Sequence, residues 1–191
     1  AFDQATGGAD IVIANAGISL GVKTEFYEDL AQFRRVLDTN VLAMAATFHP
    51  FIAAMKARRR GTLVGIASVA GIRGLPGSEA YCASKSAVIT YCESLRVELA
   101  KSGVKVVTIS PGFVRTELTV KNPYAMPFLM DAADFAPRAV DAMLAGVRYL
   151  DGGWQTMVDA LATMVERAGG RIQRGNAVTR IVKRGGRDAD G

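Results

Sequence analysis

Three short, almost wholly apolar runs, at residues 10–17, 61–68 and 105–112, constrain this chain more than any other feature. None shows the polar alternation of a one-sided sheet, which is how strands buried on both faces read. The stretches between them are far too long for hairpins and carry helical spacing. The first, about 24–60, places Phe26, Leu30, Phe33, Val36, Leu37, Val41, Leu42 and Met44 on an apolar stripe, and His49-Pro50 is expected to kink or divide it. The second, about 78–102, aligns Ala80, Ala87, Val88, Tyr91, Leu95 and Leu99 on one face and stops at Gly103. Strand, helix, strand, helix, strand at crossover lengths forces parallel pairing, so the expected fold is an open α/β sheet with helices on both faces. Ligands of such sheets bind beyond the carboxyl ends of the strands. Asn15-Ala16-Gly17, Ser68 and Pro111-Gly112 stand at those ends and converge on one edge.

Residues 68–85 join the second run to the second helix through a loop punctuated by Gly71, Gly74, Pro76 and Gly77. Tyr81 and Lys85 are four residues apart, so on a helix they share a face and the ammonium can lie near the phenol. A nearby cation favours phenolate, lowering a pKa that is about 10 when unperturbed toward the range of proton exchange at neutral pH. Ser68 can hydrogen-bond the same substrate oxygen. A Tyr-x-x-x-Lys also arises by chance on solvated helix faces. The convergence of strand ends, rather than the motif alone, is what marks a site. Asn40 stands in the apolar stripe of the first helix, where asparagine is a poor helix former and needs partners if buried; satisfying backbone groups is the plain alternative to a role in chemistry.

Composition narrows the classes. The formal charge of +5 is spread along the 191 residues, and the one basic run, Arg58-Arg59-Arg60, precedes Gly61, where cations suit a helix C-terminus. It reads as a cap, and no nucleic-acid partner is expected. Cys82 and Cys92, ten apart in one helix, suit neither a zinc site nor a disulfide, so no metal and a reducing, cytoplasmic setting are expected. No apolar run reads as a membrane span. The chain begins without a methionine, in what looks like the end of a helix, and is read as part of a longer protein.

Together these residues resemble the short-chain dehydrogenase/reductase family over about residues 1–148. Ala14-Asn15-Ala16-Gly17 is similar to that family's Asn-Asn-Ala-Gly element with its first Asn replaced; Asn40, Ser68, Tyr81 and Lys85 match its catalytic tetrad in order; Pro111-Gly112 with Val114 and Thr116 looks like the segment that meets the nicotinamide carboxamide. The resemblance implies the C-terminal half of a partial Rossmann-like, doubly wound parallel sheet and an oxidoreductase that interconverts a secondary alcohol and a carbonyl with NAD or NADP. Tyr81 would exchange the proton with the substrate oxygen, Ser68 orient and polarise that oxygen, and Lys85 lower the phenol pKa and bond the nicotinamide ribose. Asn40 would hold a relay water. Asn15, Ala16 and Gly17 would lie near the cofactor, and the two long helices would pair two copies into a homo-oligomer. The family's glycine-rich turn for the pyrophosphate does not precede Asp10, so weak cofactor binding is expected, and the residue that selects NAD or NADP is not in the sequence.

Residues 121–148 read as an apolar loop (Pro123, Met126, Pro127, Phe128, Leu129, Met130) able to cover an apolar substrate, or equally to pack on the core, followed by a helix from about 137. From 149 the character changes. A helix at 154–168, Gly169-Gly170, and strand-like 171–182 resemble a piece of the FAD-dependent amine oxidase and phytoene desaturase group, with Val178 to Ile181 as its strand, so a helix-strand appendage and a junction of two gene pieces are expected; residues 185–191 read as disordered. FAD is not expected, because its pyrophosphate turn is also missing. The competing functional readings are a non-catalytic remnant acting as an interaction module and a flavoprotein fragment.

Overall fold

The computed structural model describes residues 8–120, 126 and 128–145, within one compact unit, Ala1–Tyr149. The expected domain and appendage from 149, its helix and strands, the tail 185–191, and Pro123 and Pro127 of the apolar loop lie outside the described residues.

Strands β1 (Ile11–Ala14), β2 (Gly61–Ile66) and β3 (Val104–Ile109) form a parallel sheet in the order β1-β2-β3, with Val12 opposite Leu63 and Leu63 opposite Val106. Between β1 and β2 run α1 (Asp29–Leu37), a π-helical turn (Asp38–Leu42) and α2 (Ala43–Arg58); between β2 and β3 runs α3 (Glu79–Leu99). Both crossovers cover one face. Met44, Phe48 and Met55 of α2 and Val88, Cys92, Leu95 and Leu99 of α3 pack there on Val12, Ala14, Leu63 and Val106. After β3 come β4 (Val114–Arg115), α4 (Glu117–Val120), β5 (Met130–Asp131) and α5 (Ala132–Ala145), with β4 and β5 paired in parallel. Helix α5 covers the opposite face through Phe135, Ala139 and Met143, which pack on Val64, Val107 and Ile109.

Three expectations are revised. The residues of β1 are not buried on both sides: Ile11 and Ile13 remain 40% and 46% exposed, because they share a face with Val64 while α5 sits over β3. Pro50 does not divide the first helix, which runs unbroken from Asp29 to Arg58. That continuity gives it the length and mean hydropathy, 1.2, that can cross a membrane, where no such run was expected; one side is packed in the core through Met44, Phe48 and Met55. What does interrupt its regularity is the π turn, whose extra residue buries Asn40 completely. The basic run acts as read: Arg59 takes the left-handed conformation at the end of α2 (φ 54), the Arg60 and Arg59 amides bond back to the Met55 and Lys56 carbonyls, and the Arg60 side chain pairs with Asp10 at 3.0 Å.

Pro50 supplies no amide hydrogen and is exposed, so Pro50→Ala should restore a helical hydrogen bond without disturbing the core. The expected gain in urea denaturation is about 1–3 kcal/mol. An unchanged or lower stability would show that the helix is not continuous through residue 50.

Candidate active site

Parallel pairing places the three strand ends together. The ladder continues past β2 and β3, with the Ala67 amide on the Ile109 carbonyl at 2.8 Å and the Val69 amide on the Pro111 carbonyl at 3.0 Å, so Ser68 is drawn against Pro111. Ser68 then opens a tight turn, Val69–Gly71, accepting from the Ala70 amide at 3.1 Å. This turn lies directly on the backbone of α3: a β-carbon on Gly71 would come 2.6 Å from the Lys85 carbonyl carbon, so only glycine permits the approach. The approach brings the Ser68 hydroxyl close enough to the Tyr81 phenol to bear on its ionisation.

The electrostatics of this pair differ from the sequence expectation. Burial raises the Tyr81 pKa above its ordinary value, and the Ser68 hydroxyl opposes that shift without cancelling it. Lys85 does share the face, its Nζ lying 5.7 Å from the Tyr81 ring centroid, but its ammonium donates to the Ile66 carbonyl at 2.8 Å. Burial lowers the Lys85 pKa to about 8. In the free chain, then, the cation is held by a strand end and desolvation governs the phenol.

Asn40 gathers the remaining elements. Its Oδ1 accepts from the Ile18 amide at 2.8 Å, and its Nδ2 donates to the Ile18 carbonyl at 2.9 Å and to Ser84 Oγ at 2.9 Å. The loop after β1 is thereby fastened to the π turn and to α3, above a small apolar cluster of Val22, Val36 and Ala80 with Ile18, Leu20 and Phe33. Gly17 lies inside this arrangement: a β-carbon there would meet Lys85 Nζ at 3.3 Å and Asn40 Oδ1 at 3.5 Å. Asn15 and Ala16 beside it are exposed.

Beyond Pro111 and the exposed Gly112, the chain turns into β4 and α4. Thr119 Oγ1 accepts from the Thr116 amide at 2.9 Å and faces two acceptors, the Val114 and Thr116 carbonyls, at 3.0 and 2.9 Å. That reciprocal cap fixes Val114 and Thr116 while leaving the Thr116 side chain exposed. Sequence reading missed Ser84, Gly71 and Thr119. Ser84 had a signal, a serine amid the buried face of a helix; the other two depend on close approaches that no periodicity carries. Among the described residues no cluster of His, Cys, Asp or Glu is arranged to hold a metal.

A family model described as short chain dehydrogenase matches residues 1–126. The chain is 42% identical over 158 residues to an uncharacterized oxidoreductase of Myxococcus xanthus strain DK1622, covering 83% of this chain and 62% of that protein. It is 40% identical over 111 residues to an acetoacetyl-CoA reductase of Synechocystis, covering 57% of this chain and 45% of that one. It thus spans roughly half to three-fifths of the curated relatives it matches. Among solved structures it is similar to ElxO with NADP bound, at a TM-score of 0.66 and 27% identity over 74% of this chain and 62% of that one. A Burkholderia thailandensis oxidoreductase described as of the short chain dehydrogenase/reductase family matches at a TM-score of 0.60 and 29% identity, over 70% and 57% of the two chains.

The buried ammonium has a pH signature. Below pH 8 Lys85 is charged both folded and unfolded, and only the folded state bears the desolvation penalty; between 8 and the unfolded value of 10.5 that penalty fades. Lys85→Met should therefore stabilise the free chain by about 1–3 kcal/mol at neutral pH. The gain should shrink as pH rises from 8 to 10.5. Denaturant titrations at several pH values check this, and a gain that does not vary with pH would contradict it.

Proposed function

The chain belongs to the short chain dehydrogenase family, and on that premise we propose that it is the catalytic portion of an NAD- or NADP-dependent oxidoreductase interconverting a secondary alcohol and a carbonyl. The observation that carries this reading is the gathering of buried Ser68 and Lys85 with Tyr81 at the carboxyl end of the parallel sheet, Lys85 Nζ lying 5.7 Å from the Tyr81 ring centroid. When bound, the nicotinamide supplies or accepts the hydride.

The protein's part is placement and protonation. In reduction Tyr81 gives its proton to the substrate oxygen; in oxidation it takes one back. A phenol whose pKa is raised by burial is a ready donor but a poor base, so the second direction needs a cation. Lys85 is the cation at hand, once released from the Ile66 carbonyl toward the nicotinamide ribose. Ser68 donates to the same substrate oxygen and polarises it. Asn40 holds the loop carrying Asn15, Ala16 and Gly17. Because both of its amide hydrogens are taken by Ile18 and Ser84, a relay water would have to reach Asn40 elsewhere.

The residues present fit the nicotinamide end of such a cofactor. The space beside Lys85 Nζ is kept by a glycine, and the exposed Thr116 side chain and Asn15 amide make no hydrogen bond among the described residues. Relatives named as reductases, and structural neighbours titled with NADP or NADPH bound, support the same cofactor class; nothing supports FAD.

The substrate class is a small alcohol or carbonyl compound with apolar character, in keeping with the exposed Leu118, Val120 and Phe128 near the site. Exposed Leu42 and Val97 on the two long helices suit pairing of two copies, and two free, buried cysteines suit the cytoplasm.

Tyr81→Phe keeps the ring and removes the acid, so NADPH-dependent reduction of a ketone panel should fall about 10²–10⁴-fold with cofactor affinity nearly unchanged. Undiminished turnover in the variant would end the acid–base assignment.

A further inference from the structure

Ser84 is fully buried in the second turn of α3, between the two residues assigned to proton handling. A buried small residue at a helix crossing usually serves packing, and alanine would fill that need with better helix propensity. Here the hydroxyl is engaged on both sides. It donates to the Tyr81 carbonyl at 2.7 Å and accepts from Asn40 Nδ2 at 2.9 Å. The first bond alone would be the ordinary back-bond of a helical serine. The second links α3 to an element 44 positions away, and through the Asn40 amide to both backbone groups of Ile18. A continuous hydrogen-bonded line therefore runs from the loop after β1, across the π turn, to the carbonyl of the reactive tyrosine. Gly17, next to Ile18, lies against Lys85 Nζ at the same level.

We propose that Ser84 is a positioning residue of the reaction, holding the cofactor-side loop 15–18 in register with the helix face that carries Tyr81 and Lys85. This rests on the oxidoreductase reading above. Its physical content is that two surfaces serving one substrate, one for the nicotinamide and one for the proton, move as a single body. The Ser84 hydroxyl is a small group that can both accept from the asparagine amide and satisfy the helix carbonyl, at a position that is fully buried. Loss of the hydroxyl leaves an amide hydrogen of Asn40 buried without its partner, which loosens the Ile18 anchor while leaving the strand ladder intact.

The test uses the chain itself, without substrate or cofactor. Amide hydrogen exchange and tyrosine titration by NMR are compared for the natural protein, Ser84→Ala, the size-matched Ser84→Cys, and Ser86→Ala as an exposed control on the same helix. In Ser84→Ala and Ser84→Cys the Ile18 amide should exchange at least about 10-fold faster, with the β2–β3 ladder amides unchanged. The Tyr81 titration point should fall toward that of free tyrosine as the phenol becomes more accessible, and Tyr91, raised by burial on the same helix, should not follow. Ser86→Ala should change nothing. If Ser84→Ala does not fold, Ser84→Cys carries the comparison. Unchanged Ile18 exchange, acceleration spread equally over the ladder, or an unmoved Tyr81 titration would overturn the proposal. Because neither readout involves turnover, this result can fail while Tyr81→Phe still abolishes activity, and the reverse.

Discussion

The side-chain amide of Asn40 is the interaction on which this structure turns. It is completely buried, yet it leaves no buried side-chain polar atom unpaired, because the Ile18 amide and carbonyl and the Ser84 hydroxyl answer it. A buried polar group is tolerable only on those terms. The π turn is what makes the terms possible: one extra residue in an otherwise continuous helix directs the amide at the loop after β1. The strand end, the long helix and α3 are thereby held around one point, and Lys85, Gly17 and the Ser68 turn are packed against it.

That arrangement explains why the free chain is electrostatically strained at its centre. Two ionisable groups, Tyr81 and Lys85, are drawn out of water, and burial pushes each toward its neutral form. The nearby Ser68 hydroxyl opposes part of the shift at the phenol, and the Lys85 ammonium donates to the Ile66 carbonyl. A site built to bind a charged, hydroxyl-rich cofactor and a polar carbonyl would relieve both groups on binding. Desolvated ionisable groups of this kind are common where function is lodged in a packed core.

Much of the fold was legible because it follows from patterns the sequence writes directly. Parallel strands show as short apolar runs, and Gly103 and the arginines after α2 mark helix ends. Ser68, Tyr81 and Lys85 could be named from strand ends and helix spacing, and Asn40 and Asn15 to Gly17 from the family resemblance; Gly17, Asn40 and Lys85 lie within contact of one another, while Asn15 and Ala16 are exposed. Four things stayed hidden for physical reasons. The π turn leaves no trace in an apolar stripe that merely shifts phase. Pro50 looked like a break because propensity is local, whereas packing of Met44, Phe48 and Met55 sustains the helix across it. The balance between desolvation and charge at Tyr81 depends on where the Lys85 ammonium points, which spacing along a helix does not determine. The exposure of Ile11 and Ile13 likewise reflects which face α5 covers, a matter of tertiary placement.

The most direct measurement of the central claim is the stability of Asn40→Leu, which exchanges the amide for an apolar side chain of similar size. If the amide organises the site, the substitution strands the Ile18 amide and carbonyl, and urea denaturation should show a loss of about 2–4 kcal/mol. A variant as stable as the natural chain, or more so, would mean that the buried amide is replaceable by packing alone, and the account built on it would be wrong.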